Sequence, residues 1–210
     1  MSDGYLYAKW QNIPLPCTPD AASAVFAELK KRYAQKSRHY HNFDHLEAVF
    51  RSFDLYHGHL QNPDVVALAI FFHDIVYNAS RKDNEEKSAV FAEKKLLEMG
   101  FPKQQTELVS TFILATQNHS LPEDAHPDLA FFLDFDLAIL GASWEAYEAY
   151  AQKIRKEYRI YPDLLYRPGR SKALAHFLER PYIFQTDTFR AKFEQQAREN
   201  IRREIELLAA

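Results

Sequence analysis

The sequence predicts an all-α protein. Only five glycines occur in 210 residues, and apolar residues recur near every 3.6 positions through most of the chain. Cap-and-proline pairs such as Thr18-Pro19 and Asn62-Pro63 stand in front of two of those stretches, where helices open. Length and composition (47% hydrophobic, 26% charged) are those of one well-buried globular domain. No internal repeat, low-complexity tract or linker divides it, so residues 1–210 are expected to form a single domain.

The first helix follows Thr18-Pro19 and runs to about Ala34, with Val25, Phe26 and Leu29 on its buried side. A basic, aromatic link, KSRHYHN, leads into a second helix from about Asn42 to Tyr56, where Leu46, Val49, Phe50 and Phe53 keep helical spacing. The central stretch is Asn62–Asn78, NPDVVALAIFFHDIVYN, capped by Asn62 and apolar on every side from Val65 to Phe72. Asp83 opens the next helix, which Gly100 stops after Met99, and its inward face is Ala89, Ala92, Leu96 and Met99. Pro102 starts another, with Leu108, Phe112 and Ala115 buried and the register continuing to His119. LPEDAHPD is a loop with a solvated His126. Asp128–Gly141 is a second apolar segment, and Ser143 caps a helix with the stripe Tyr147, Tyr150, Ala151, Ile154 and Tyr158. YPDLLYRPGRSK reads as a turn-rich basic loop before a short helix, about 172–179, and a last helix from about Thr188 to Leu208.

Composition narrows the function classes. A net charge of −3 gives no general case for nucleic acid. The single cysteine, Cys17, excludes an intrachain disulfide framework and fits a reducing cytoplasm. MSDGYLYAKW lacks the basic region and apolar core of a signal peptide, and no apolar run approaches the roughly 18 residues of a membrane span. A cytoplasmic protein is expected, with homo-oligomerisation left open.

The chemistry lies in polar residues set in apolar surroundings. His73 and Asp74 sit side by side in the central element, and an unpaired buried carboxylate costs several kcal/mol unless a cation or donors compensate it. His41 and His45 stand four apart at a helix start, a spacing that also suits one buried, hydrogen-bonded ring. Asp134 and Asp136 are embedded among Phe, Leu and Ile, where one can cap a turn and the other bind a metal. Glu85 lies one turn before Ala89 on the inward face, as dipole decoration or as a functional carboxylate. His119 points inward as a core residue or a ligand. Two imidazoles and two carboxylates suit Mn, Fe, Co, Ni or Zn, and a more oxygen-rich set suits Mg.

Together these residues resemble the HD superfamily of metal-dependent phosphohydrolases, whose pattern is a His, a later His-Asp doublet and a distal Asp on a helical bundle. His45 with Val49 looks like the first motif, His73-Asp74 the doublet, and DFDLAILG the closing segment, with Asp136 the better match and Asp134 the fallback. RHYHNFDHL, HDIVYNASRKDNEEKSA, FLDFDLAILG, IRKEY and AREN resemble a small branch of that superfamily over most of the chain, and the HD-GYP signature is absent. The resemblance implies a metal-site core over about 38–141, between an N-terminal helix (19–34) and C-terminal helices (143–208). It implies a divalent metal held by His45, His73, Asp74 and Asp136, and a water activated to attack a nucleotide or other small phosphate ester. Asp74 and Glu85 are then expected in catalysis, and Arg38, His41, His119 and Arg170 at the phosphate. The alternatives are a non-catalytic metal- or nucleotide-binding module and a di-iron oxidative enzyme recruiting His119.

Overall fold

The structure, a computed structural model, describes residues 2–210; Met1 of the expected 1–210 domain lies outside them. Among the described residues every regular element is helical: ten α-helices and two short 3-10 turns. They are α1 Ser2–Asn12, α2 Pro19–Tyr33, α3 Phe43–Tyr56, α4 Pro63–Phe72, α5 Asn84–Glu98, α6 Lys103–Ala115, α7 Pro127–Leu137, α8 Trp144–Glu157, α9 Asp163–Glu179 and α10 Asp187–Ala209. No helix among them is long and apolar enough to cross a membrane. The chain divides into two compact units, Met1–Phe132 and Leu133–Ala210, and the division falls inside α7.

In the first unit α4 is the core, with every residue from Val65 to Phe72 buried. A helix apolar all round must be covered on all sides, and α3, α5 and α6 pack on it. Local signals set several of the boundaries. Thr18 Oγ1 caps α2 through Ala21 N–H, and Asn42 Oδ1 accepts from Asp44 and His45 N–H at the start of α3. At the end of α5, Gly100 takes φ +90°. Phe101 N–H returns to Leu96 O and Gly100 N–H to Leu97 O, a Schellman stop.

Several expectations are corrected. The N-terminal residues form a helix, α1, which buries Leu6 and Trp10; the Trp10 ring meets Phe71 edge-on at 5.2 Å. Helix α4 stops at Phe72, so His73 is its C-cap and Asp74 lies beyond it. Asn62 holds the N-cap position without a side-chain cap bond; the Asp128 carboxylate instead accepts Gln61 N–H (2.9 Å) and Asn62 N–H (2.6 Å). His126 is half-buried and hydrogen-bonds Asn62, not solvated. The buried face of α6 centres on Val109, Phe112 and Ile113, and the helix ends four residues before His119. His119 has φ +45°, a left-handed conformation that turns the chain out of the helical register.

In the second unit α9 starts at Asp163, nine residues before the expected short helix, and runs through Pro168. Arg155 on α8 holds it at its start, through Asp163 Oδ1 at 2.7 Å. Gly141 ends the 3-10 turn against α10, where an added Cβ would lie 2.6 Å from that of Phe193. Asn200 on α10 donates to the Leu140 and Ala142 carbonyls beside it.

Candidate metal centre

His45 stands in the first turn of α3, held there by the Asn42 cap, and is 4% exposed. His73 closes α4 and is 2% exposed. Its Nδ1 is 2.9 Å from the Ile70 carbonyl oxygen, and a carbonyl can only accept, so Nδ1 carries the proton. In the neutral ring Nε2 is then a bare lone pair. That atom lies 3.2 Å from His45 Nε2 and 3.1 Å from Asp74 Oδ2, and His45 Nε2 is 3.7 Å from the same oxygen. A lone pair facing a carboxylate at this distance needs positive charge between them, supplied by a proton or by a metal ion.

The donor set could hold a metal ion. With ligand bonds of about 2.0–2.2 Å, neighbouring ligand atoms stand roughly 2.8–3.6 Å apart in octahedral or tetrahedral geometry. The three observed separations lie close to that range. Metal-binding histidines commonly have their tautomer fixed by such a bond, and Nδ1–H to Ile70 would serve His73 in that way. Where a proton on His73 supplies the positive charge, burial raises the Asp74 carboxyl, but the charge of the His73 and His41 rings, the His73 hydrogen bond and His45 outweigh it. The carboxyl is held well below the usual carboxylate range.

The three aspartates of α7 divide by what they touch. Asp128 caps α4, as described. Asp134 is fully buried and accepts Gln185 N–H (2.6 Å), Thr186 N–H (2.8 Å) and the Thr186 hydroxyl (2.7 Å). Thr186 in turn caps α10, so Asp134 holds that helix start; burial pushes its carboxyl up to about 6 despite the three donors. Asp136 is half-buried and lies one helical turn beyond Phe132, whose ring packs against His73 with centroids 6.0 Å apart. Within the first unit, His45 and His73 are side chains that could contribute to holding a metal ion.

No family model, curated protein or solved structure matches this chain.

The remaining predicted residues fall into two sets. Glu85, in the first turn of α5, is half-buried, and burial raises its carboxyl above the ordinary range. The negative charge of Asp74 adds to the rise, while the His119 and His41 rings oppose it, so these four groups share one field. His41 stacks on Tyr77 with centroids 4.2 Å apart. The two arginines are engaged elsewhere. Arg38 is buried against backbone carbonyls, and Arg170 makes a buried ion pair with Glu204, Nε to Oε1 at 2.8 Å. Both guanidiniums are thus engaged by groups of the fold itself.

Sequence reasoning missed Asn84 and Ser88. Both are buried on α5 one turn apart, and both hold the segment after Asp74. Ser88 Oγ accepts Val76 N–H and donates to Val76 O; Asn84 accepts Asn78 N–H and donates to Asn78 O. Their i, i+4 spacing on the same side as Ala92 was the available signal.

Proposed function

We propose that the protein is a metal-dependent phosphohydrolase of the HD kind, acting on a nucleotide or another small phosphate ester. The observation that carries this reading is the convergence of His45, His73 and Asp74 with the His73 tautomer fixed by Ile70. His45, His73, Asp74 and Asp136 would hold the ion. When bound, a divalent ion draws charge from phosphoryl oxygens and makes water a better nucleophile near neutral pH. Asp74 stays ionised and orients what it binds. Glu85, with its raised carboxyl, is suited to take a proton from the attacking water and return one to the leaving oxygen. His41 and His119 supply imidazole donors for phosphate oxygens.

The test is metal analysis of protein purified without chelator, followed by a phosphatase and phosphodiesterase screen over nucleotides with Mn, Fe, Co, Ni, Zn and Mg. His73→Ala and Asp136→Ala should lose metal and turnover while keeping helical circular dichroism. Glu85→Gln should keep its metal and lose about 10²-fold or more in kcat. Full metal occupancy in His73→Ala refutes the centre. A metal-loaded protein that turns over no phosphate ester refutes the enzyme and leaves a binding module.

A further inference from the structure

Arg38 lies between α2 and α3 and is 5% exposed. Its guanidinium donates to four neutral acceptors. Nη1 reaches the carbonyl oxygens of His41 (3.2 Å) and Asp74 (2.5 Å), Nη2 that of Ile75 (3.0 Å), and Nε the Gln35 side-chain oxygen (3.4 Å). The Tyr33 and Tyr77 rings lie 4.9 and 5.6 Å from its Cζ. A buried guanidinium is costly to desolvate. Here carbonyls just past the C-terminus of α4, the negative end of its dipole, and two ring faces offset that cost.

We propose that Arg38 is a positioning residue for the candidate metal centre. It ties the loop that opens α3, which carries His45, to the turn that carries Asp74. The inference rests on the metal-binding reading above. Nη1 alone bridges the two segments, since it donates both to His41 O and to Asp74 O. Nη2 then takes the next carbonyl along the turn. A rigid fork of five N–H groups can hold all three carbonyls at once, whereas one lysine ammonium cannot reproduce that planar geometry. Metal–ligand distances tolerate only about ±0.2 Å, so loosening this clamp spreads the donors beyond what an ion can bridge.

The sign of the effect separates positioning from charge. A guanidinium near the centre repels an incoming cation, so on electrostatic grounds alone its removal strengthens metal binding. Loss of positioning weakens it.

Co2+ binding to the full chain, followed by calorimetry and by the visible d–d spectrum, tests this with Arg38→Lys, Arg38→Met and a control in the second unit, Leu174→Ala. Arg38→Met should weaken binding by about 10–100-fold, the effect of losing an outer support of a metal ligand. Arg38→Lys, which keeps the charge, should weaken it in the same direction. Both should alter the Co2+ spectrum, while Leu174→Ala, buried on α9, should change neither affinity nor spectrum. If Arg38→Met does not fold, Arg38→Lys carries the test. Parental or tighter affinity with an unaltered spectrum in the folded Arg38 variants overturns this inference and leaves the centre standing. A parent protein that takes up no Co2+ overturns the centre and this inference together.

Discussion

Arg170 is the residue for which chemistry and fold make the most different predictions. Its guanidinium meets Glu204 twice, Nε to Oε1 at 2.8 Å and Nη2 to Oε2 at 3.1 Å, and Nη2 also reaches the Tyr150 hydroxyl at 3.3 Å. Tyr147 donates its phenol to Glu204 Oε2 at 2.5 Å; burial, with the Glu204 charge, raises that phenol far above its ordinary range and keeps it a donor. The side chains of Arg170 and Glu204 are 13% and 8% exposed, so both ions are desolvated. Arg170→Met leaves the Glu204 charge buried with the phenol as its remaining strong donor, a loss of about 3–5 kcal/mol. At about 2–4 °C per kcal/mol for a chain of this size, the melting temperature should fall by roughly 6–20 °C. Arg170→Met/Glu204→Leu removes both charges and should be more stable than Arg170→Met alone, a non-additivity that a surface pair does not show.

The assay is built into the sequence. Of the two tryptophans, Trp10 lies in the first unit and Trp144 in the second, stacked on Tyr147 with centroids 5.7 Å apart and covered by Arg203. In a Trp10→Phe background, Trp144 fluorescence reports urea unfolding of the unit that holds the pair. Metal uptake should be unchanged in Arg170→Met. A destabilisation under about 1 kcal/mol, the range of exposed pairs, refutes the buried-pair account. So does a double variant whose loss equals the sum of the single ones.

Two further outcomes follow from other contacts. Asp128→Ala should cost about 2–4 kcal/mol, because it strands two N–H groups at the start of α4; Asp128→Asn, which keeps one acceptor, should recover part of that in thermal unfolding. Equal stability of the two variants would show that the acceptor does not matter. Glu28 bonds Arg32 on its own helix and Lys95 on α5. Burial raises its carboxyl, but these bonds more than offset that and hold it below the ordinary 4.5. A depressed folded pKa contributes stability above the unfolded value and loses it as pH falls through the folded one. Glu28→Gln should therefore be less stable than the parent at pH 7, by under about 1 kcal/mol for this partly exposed group, with the gap closing in acid. A gap that stays constant from pH 7 to pH 3 refutes the linkage.

The parts of this protein written in its sequence are those decided within a few residues. Thr18-Pro19, Asn42 and Gly100 mark helix ends through bonds to their own neighbours, and the all-apolar run 65–72 can only be a core helix. The inward face Ala89, Ala92, Leu96 and Met99, with Glu85 one turn ahead, was legible from period alone, as were His45 and His73-Asp74 as residues in need of a partner. Two helices were not. α1 is held by tertiary packing of Trp10, while α9 contains Pro168 and Gly169 and is pinned by Arg155 and Arg170. The roles of the aspartates were also hidden. Asp128 serves backbone 66 and 67 residues away, and Asp134 serves backbone 51 and 52 residues away, so both are consumed by helix starts that no local pattern reveals. The partners of Arg38 (backbone carbonyls) and of Arg170 (Glu204) were hidden too, because a sequence displays charge without its partners. Whether a buried polar group becomes a cap, a clamp or a ligand depends on which orphan donors and carbonyls the fold brings to it.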